Sequence, residues 1–216
     1  MTSAAPLTAL QVMRHAPVIP VIVLDYEHHA VPLARALVAG GIRMLEVTLR
    51  TPVALRCIER IAAEVPQAVA GAGTVRSAAD AQAAVGAGAR FAVRPGFTAG
   101  LRAACRDLAL PLLPGVATGS EILQAAECGH TELKFFPALQ AGGVAMLRAW
   151  QGPFADVCFC PTGGIHAGNA AEFLALSNVA CVGGSWIVPP ALVREGRWDA
   201  ITQLAREACA LRPQRL

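Results

Sequence analysis

The sequence predicts one α/β domain over residues 1–216, folded as a (β/α)8 TIM barrel with a short N-terminal helix. Eight short apolar runs alternate with segments of helical spacing, and no linker, low-complexity tract or block of like charge divides the chain. Strands that alternate with helices form βαβ units and a parallel sheet. Hydrophobic residues make up 55% of the chain and charged residues 15%, which suits a sheet covered by helices.

The strand-like runs are apolar and end in small-residue turns. In chain order they are Pro17–Leu24, Met44–Leu49, Ala68–Thr74, Arg90–Pro95, Leu110–Val116, Glu132–Pro137, Val157–Pro161 and Val179–Gly183. Between them, apolar residues recur at helical spacing in segments rich in Ala, Leu and Arg. These predicted helices are His28–Ala39, Pro52–Glu64, Ala78–Val85, Leu101–Leu108, Glu121–Glu127, Val144–Trp150, Ala170–Leu176 and Trp198–Leu211.

Eight such units in only 216 residues favour a compact closed barrel over an open sheet. An open doubly wound sheet is the alternative. It would usually carry a GxGxxG turn after the first strand, whereas the run Leu24-Asp25-Tyr26-Glu27 contains no glycine.

Composition and charge disfavour several classes of partner. The formal net charge is +3 and the basic residues are scattered, so neither a nucleic acid nor an anionic membrane surface is expected. No apolar run reaches the roughly 18 residues of a membrane span. The N-terminal residues lack the pattern of a secretory signal, and we expect a cytoplasmic protein.

The cysteines and histidines form no recognisable ligand or disulfide pattern. Seven cysteines lack the spacing of a disulfide framework, and the nearest pair, Cys158 and Cys160, lies on one face of a predicted strand. Buried thiols in a reducing compartment are therefore expected. A metal site at His28 and His29 would need distant ligands that the sequence does not identify, so no metal site is predicted.

Lys134 is the only lysine among 18 basic side chains, Lys and Arg together. Arginine stays protonated, whereas a desolvated lysine can become a neutral amine that attacks a carbonyl. Lys134 also lies late in an apolar strand, where a solvated side chain is not expected. The alternative is a lysine whose stem packs at the strand end while its ammonium reaches water.

A second polar feature lies in the run Glu46-Val47-Thr48-Leu49-Arg50. Strand alternation places Glu46, Thr48 and Arg50 on one face. The apolar face must meet the outer helices, so the polar face points into the barrel, where Val, Ile or Leu is usual. Either the carboxylate and guanidinium form a buried pair without chemistry, or Glu46 moves protons and Arg50 binds a carboxylate.

Glycine-rich turns end the last two strand-like runs, at 161–164 (PTGG) and 183–186 (GGSW). Barrels build phosphate sites from backbone N–H groups after these two strands. Tight turns that require positive φ would also explain the glycines. Thr162 and Ser185 add hydroxyl donors, which favours phosphate binding.

The runs LEVTLRT, GAGTV, KFFPA, CPTGG and GGSWIVP resemble those of the 2-keto-3-deoxy-6-phosphogluconate aldolases, also called 4-hydroxy-2-oxoglutarate aldolases. The resemblance extends in order from Val18 to Ala210. It implies a cytoplasmic, homotrimeric (β/α)8 barrel that cleaves a phosphorylated 2-oxo sugar acid to pyruvate and glyceraldehyde 3-phosphate. An imine serves as the electron sink, so neither a metal nor an organic cofactor is implied.

By this resemblance Lys134 forms the Schiff base and Glu46 transfers protons. The implied substrate-binding residues are Arg50 and Thr74 for the pyruvyl carboxylate, Pro95 and Phe136 for the pyruvyl pocket, and Thr162, Gly163, Gly164, Gly184 and Ser185 for the phosphate. Two alternatives stay open: a phosphosugar isomerase or epimerase, which would need no imine, and a metabolite-binding barrel without chemistry.

Two positions depart from the family pattern. The stretch 138–141 (ALQA) is less polar than is common there, which leaves fine substrate preference undecided. Arg94 precedes Pro95 where a small residue is usual. If Pro95 faces the interior, alternation turns Arg94 toward the helices or a subunit contact, with its guanidinium at the surface. The alternative is that Arg94 binds an anion in the barrel mouth.

Overall fold

The computed structural model describes residues 7–211, in which short parallel strands alternate with helices. The strands are β1 (Val18–Ile22), β2 (Met44–Thr48), β3 (Val69–Gly73), β4 (Ala92–Val93), β5 (Leu112–Leu113), β6 (Gly115–Val116), β7 (Glu132–Phe135), β8 (Cys158–Pro161) and β9 (Val182–Gly184). The α-helices are α1 (Ala9–Arg14), α2 (Ala30–Ala39), α3 (Ala54–Glu64), α4 (Ala78–Gly86), α5 (Ala99–Asp107), α6 (Gly119–Glu127), α7 (Gly143–Trp150), α8 (Ala170–Leu174), α9 (Pro190–Arg194) and α10 (Trp198–Cys209). A 3-10 turn at Glu27–His29 leads into α2.

All strand pairs are parallel, and they form two hydrogen-bonded groups. Six strands pair in the order β5-β4-β3-β2-β1-β9, and three pair in the order β6-β7-β8. Only Pro114 separates β5 from β6, and isolated bridges join Phe159 to Val179 and Thr162 to Gly183. The architecture is therefore an α/β fold with a parallel, curled sheet.

Most predicted elements differ from the structure by a few residues at their ends, and three differences have a clear physical reason or change the element order. The predicted strand Leu110–Val116 is divided at Pro114, which has no N–H to donate to a ladder, although its carbonyl accepts from the Lys134 amide. The last strand begins at Val182 rather than Val179. Helix α9 was not predicted, because five residues are too few to show helical periodicity.

The N-terminal helix is confirmed within the described range. Thr8 caps α1 by accepting from the Gln11 amide, and the Thr8 amide donates to the Gln11 side chain, which completes a capping box. Residues 1–6 of the predicted leading segment lie outside the described residues. The buried Val12 and Met13 of α1 pack with inward-facing side chains of the sheet, including Phe91. This cluster makes the interior apolar beneath the polar site described below.

Helix α7 packs on the sheet through aromatic rings, one pair edge-to-face and one stacked. The Trp150 ring lies 5.0 Å from that of Phe135 in β7 and 5.5 Å from that of Phe159 in β8, between ring centroids. Leu133 and Phe135 are fully buried on this helix-facing side. Because side chains alternate along a strand, this packing turns Lys134 to the opposite, inner face.

The cysteines, which were predicted to be buried thiols, are buried only in part. Cys57, Cys105, Cys160 and Cys181 are buried, whereas Cys128, Cys158 and Cys209 are partly exposed, and none of the seven is in a disulfide. Burial beside Glu27 raises the pKa of Cys57 to about 11, so this thiol stays protonated at neutral pH.

Within residues 7–211, no helix is long and apolar enough to cross a membrane.

Gly40 allows α2 to approach α10 closely. A Cβ at this position would overlap the Cβ of Ala205 and lie 2.8 Å from the Thr202 carbonyl oxygen. We expect Gly40→Ala to lower the free energy of unfolding by about 1–3 kcal/mol, the usual cost of overpacking.

Urea denaturation measures this loss. Gly86→Ala is the matched control, because nothing lies within 4 Å of a Cβ there and alanine favours the helix by up to about 1 kcal/mol. Equal midpoints for the two variants would contradict the assigned packing of α2 on α10.

Candidate active site

A cavity of about 310 Å³ opens at the carboxyl ends of the strands. Its lining comes from β1, β2, β7 and β9 and from the turns after β3, β4, β7, β8 and β9. The lining residues are Val21, Glu46, Thr48, Arg50, Thr74, Pro95, Lys134, Phe136, Thr162, Gly163, Gly164, Ile165, Gly183, Gly184 and Ser185.

All eleven residues singled out in the sequence line this one cavity. Their individual roles stay predictions. Val21, Thr48, Ile165 and Gly183 were not included in the predicted site, although strand alternation already placed Thr48 on the same face as Glu46. The apolar Val21 and Ile165 carried no chemical signal of their own.

Lys134 and Glu46 form the centre of the cavity. The Lys134 Nζ lies 3.4 Å from the Glu46 Oε1, and the two residues are only 6% and 2% exposed. The Lys134 Nζ also lies 5.3 Å from the centre of the Phe136 ring, within the range of a cation–π contact. An amine and a carboxyl group are thus held beside each other and away from bulk water, as imine formation and proton transfer require.

Gly73 in β3 leaves the space that the Glu46 side chain occupies. A Cβ at position 73 would lie 2.5 Å from the Glu46 Oε1. Thr48 pairs with Gly73 in the ladder between β2 and β3, so the glycine lies beside the acidic strand. Any larger residue at position 73 would push the carboxylate from its place beside Lys134.

Arg50 extends the polar face of β2 past the end of the strand. Its Nε donates to the Thr48 Oγ1 at 3.2 Å, and the Thr48 hydroxyl donates to the Ile22 carbonyl of β1 at 2.9 Å. No carboxylate among residues 7–211 pairs with the guanidinium, which leaves its outer N–H groups free for a carboxylate of a ligand.

Thr74 directly follows β3, the strand that pairs with β2. Its φ of 59° is in the left-handed region, where a β-branched residue is strained. Strain of this kind, of order 1–3 kcal/mol, persists where surrounding structure enforces it and is concentrated at functional sites. The Thr74 hydroxyl is thus held in the cavity at an energetic cost.

The turn after β8 presents amides rather than carbonyls to the cavity. The carbonyls of Thr162, Gly163 and Gly164 accept hydrogen bonds from the Ala138 amide, the Leu139 amide and the Asn169 side chain, respectively. No acceptor within residues 7–211 engages the N–H groups of Gly163 and Gly164. Both glycines have positive φ, and consecutive free amides of this kind bind oxyanions.

The turn after β9 adds to the same end of the cavity. Gly183 pairs with Thr162, and a Cβ at position 183 would overlap the Thr162 hydroxyl. The hydroxyl of Ser185, an exposed residue, forms no hydrogen bond with the described part of the chain. These groups offer further donors to a phosphate.

The charges that line the cavity favour an anionic ligand. Arg50 and Lys134 are basic, and Glu46 is the single acidic lining residue. Among the described residues, no three His, Cys, Asp or Glu side chains are grouped closely enough to hold a metal ion. The arrangement can bind a dianionic oxo acid and attack its carbonyl with an amine.

Arg94 does not line the cavity, although its neighbour Pro95 does. The predicted outward direction agrees with its hydrogen bond to Thr98, next to α5. The predicted surface position of the guanidinium was wrong, because Arg94 is only 7% exposed. Alternation gives the direction of a side chain, but not the depth to which a neighbouring helix covers it.

Comparison with known proteins gives evidence of the protein family that is independent of the site geometry. Residues 10–204 match the family model described as KDPG and KHG aldolase, where KDPG is 2-keto-3-deoxy-6-phosphogluconate. The chain is 49% identical over 210 residues to the 2-dehydro-3-deoxy-phosphogluconate aldolase of Pseudoalteromonas atlantica, with 97% of this chain and 98% of the relative covered.

Two solved structures resemble the fold closely. One is KDPG aldolase from Legionella pneumophila with pyruvate captured as a covalent carbinolamine intermediate, with TM-score 0.92, 48% identity, and coverage of 94% of this chain and 98% of that one. The other is the Zymomonas mobilis enzyme with 3-phosphoglycerate, with TM-score 0.89, 44% identity, and coverage of 95% and 97%. This chain belongs to the KDPG and KHG aldolase family.

Proposed function

We propose that this protein is a metal-independent class I aldolase that cleaves 2-dehydro-3-deoxy-6-phosphogluconate to pyruvate and glyceraldehyde 3-phosphate. The observation that carries the proposal is the buried Lys134–Glu46 contact of 3.4 Å. Arg50 and Thr74 bind the carboxylate at one side of this pair, and the glycine turns after β8 and β9 bind the phosphate at the other.

The reaction begins when the neutral amine of Lys134 attacks the C2 carbonyl of the substrate. Loss of water from the resulting carbinolamine gives a protonated imine, which withdraws electrons from C3. The covalent carbinolamine in the Legionella pneumophila structure supports this first step. The Lys134 side chain itself thus supplies the electron sink.

Cleavage breaks the C3–C4 bond as the C4 hydroxyl loses its proton. Glu46 accepts that proton, directly or through a water molecule, and glyceraldehyde 3-phosphate leaves with a new C4 carbonyl. The bond electrons remain on the substrate fragment as an enamine. Glu46 then returns the proton to C3, and water hydrolyses the imine to release pyruvate and the free amine.

The two sides of the cavity select the substrate. The free amides of Gly163 and Gly164, with the Ser185 hydroxyl, favour a phosphorylated aldehyde portion, and 3-phosphoglycerate binds the Zymomonas mobilis relative. The family description also includes KHG, so activity toward 4-hydroxy-2-oxoglutarate is expected as well. An isomerase, an epimerase or a metabolite-binding barrel would need no imine.

For the whole molecule we infer one closed (β/α)8 barrel that forms a single domain over residues 1–216. The bridge from Thr162 to Gly183 and the continuity of β5 with β6 across Pro114 support closure on both sides. The family resemblance further supports a cytoplasmic homotrimer. Its ligands would be the phosphorylated 2-oxo sugar acid and pyruvate.

Reduction with borohydride in the presence of pyruvate should add one pyruvyl group per chain, on Lys134. An imine is reduced to a stable secondary amine, and Lys134 is the only lysine. Lys134→Arg should keep the charge and lower kcat by at least about a thousandfold, because arginine supplies no neutral nucleophile. Peptide mass spectrometry locates the adduct. An adduct at the N-terminal amine alone, or none, would disprove imine catalysis at Lys134.

Glu46→Gln should slow exchange of the pyruvate methyl protons by about a hundredfold to ten-thousandfold, the usual contribution of a general base. Glutamine keeps size and polarity, so pyruvate binding should change far less. Deuterium exchange followed by NMR measures the rate. Glu127→Gln, at an exposed position of α6, is the control. An unchanged exchange rate in Glu46→Gln would assign the proton transfer to another group.

Ser185→Ala should raise KM for the phosphorylated substrate about tenfold, since a hydrogen bond to a charged group contributes about 1.5–3 kcal/mol. KM for 4-hydroxy-2-oxoglutarate, which lacks the phosphate, should stay nearly constant. Ser120→Ala, on the exposed first turn of α6, is a matched control. Steady-state kinetics with both substrates measure the difference, and equal effects on both would place the phosphate elsewhere.

A further inference from the structure

Arg94 is a buried cation for which residues 7–211 supply no counter-charge. It is 7% exposed, and its side chain makes one hydrogen bond within the described part of the chain, from Nη1 to the Thr98 Oγ1 at 2.9 Å. The buried Nε has no acceptor, and no carboxylate of residues 7–211 lies within 4.0 Å of the guanidinium. Arg50 is likewise unpaired, but it is exposed to solvent at the open cavity.

Neighbouring groups do not supply the missing negative charge. The burial that surrounds Arg94 lowers its pKa, yet an arginine side chain stays protonated in proteins. Cys105 of α5 interacts electrostatically with Arg94, but burial raises the pKa of its thiol, which is therefore neutral at pH 7. An uncompensated buried charge is costly. An anion from outside the described chain would remove this cost.

The guanidinium lies at the N-terminus of α5, where backbone donors are also free. Thr98 is the N-cap residue, but its hydroxyl accepts from Arg94 and makes no capping bond to α5. By contrast, Thr118 and Glu121 form a complete capping box on α6. No acceptor within the described chain engages the amides of the first turn, at residues 99–101, and their dipoles favour an anion.

The surroundings leave room for a small ligand. A Cβ added at Gly96 or Gly100 would meet no atom within 4 Å, so the space beside this turn is open. The Thr98 hydroxyl accepts one hydrogen bond from Arg94 and keeps its own hydrogen for a ligand oxygen. The Arg94 guanidinium and the Thr98 hydroxyl are in contact, and Thr98 immediately precedes the free amides of α5.

We propose that Arg94, Thr98 and the first turn of α5 form a second anion site, which binds a small tetrahedral oxyanion such as inorganic phosphate or sulfate. The site differs from the phosphate-binding turns after β8 and β9, because Arg94 lies on the outer side of β4. Pro95 connects the two, since it follows Arg94 directly and lines the catalytic cavity.

Thermal unfolding with increasing inorganic phosphate tests the proposal. A ligand that binds only the folded state raises Tm. At a phosphate concentration about ten times the dissociation constant, binding at the second site should raise Tm by about 3 °C in a chain of this size. Arg94→Met removes the charge and keeps the apolar stem. Arg94→Met should lose the part of the Tm increase that comes from the second site. Without phosphate, the variant should be at least as stable as the wild type.

Matched variants separate the two anion sites. Arg90→Met changes an exposed arginine just before the same strand and should keep the full increase in Tm. Ser185→Ala should reduce only the part that arises in the catalytic cavity. Equal phosphate responses in the wild type and Arg94→Met would overturn the proposal. Loss of subunit assembly in Arg94→Met would also overturn it, because the counter-ion would then be a carboxylate of a second copy.

A direct measurement does not depend on whether Arg94→Met folds. Wild-type crystals soaked in selenate should show anomalous density within hydrogen-bond distance of the Arg94 guanidinium, in addition to any in the catalytic cavity. Thr98→Val should weaken the peak at Arg94 and leave the cavity peak unchanged. Absence of the Arg94 peak in crystals that show the cavity peak would disprove the second site.

Discussion

An amine and a carboxyl group, both nearly out of reach of water, face each other 3.4 Å apart inside this protein. Lys134 and Glu46 lie 88 residues apart in the chain and on strands of two different hydrogen-bonded groups. Their contact therefore depends on the curvature that brings β2 and β7 together. Burial of either group alone would be strongly unfavourable. The apolar cluster beneath them and the aromatic packing of α7 hold both strands in place, so the fold and the chemistry share one geometric requirement.

The site depends on glycines, which have no side chain, as much as on its polar side chains. Gly73 provides the volume in which the Glu46 carboxylate lies, and Gly183 does the same for the Thr162 hydroxyl. At Gly163 and Gly164 the carbonyls are already bonded within the protein, which leaves their amides for a ligand. Glycine thus has two functions here: it makes space beside a reactive group, and it exposes the backbone as an oxyanion receptor.

Part of this site follows from local sequence rules. Alternation along β2 placed Glu46, Thr48 and Arg50 on one face, and the glycine-rich turns after the last two strands indicated a phosphate site. The family resemblance, and no local rule, added Thr74, Pro95 and Phe136. Features that depend on distances between remote segments could not be predicted in this way. The space beside Gly73 and the depth of Arg94 beneath α5 are of this kind. The division of the fifth strand at Pro114 had a local cause, the missing amide hydrogen of proline, but its effect was not foreseen.

The restriction of lysine to position 134 has a practical consequence for spectroscopy and labelling. Growth with isotopically labelled lysine would place a single labelled side chain in the molecule, inside the catalytic cavity. Its NMR signals would follow free amine, imine and product states without overlap from any other residue. Amine-directed reagents would likewise have two kinds of target, the N-terminal amine and the Lys134 amine in the cavity. A bound substrate would protect Lys134 and leave the N-terminal amine available for coupling to a surface or a dye.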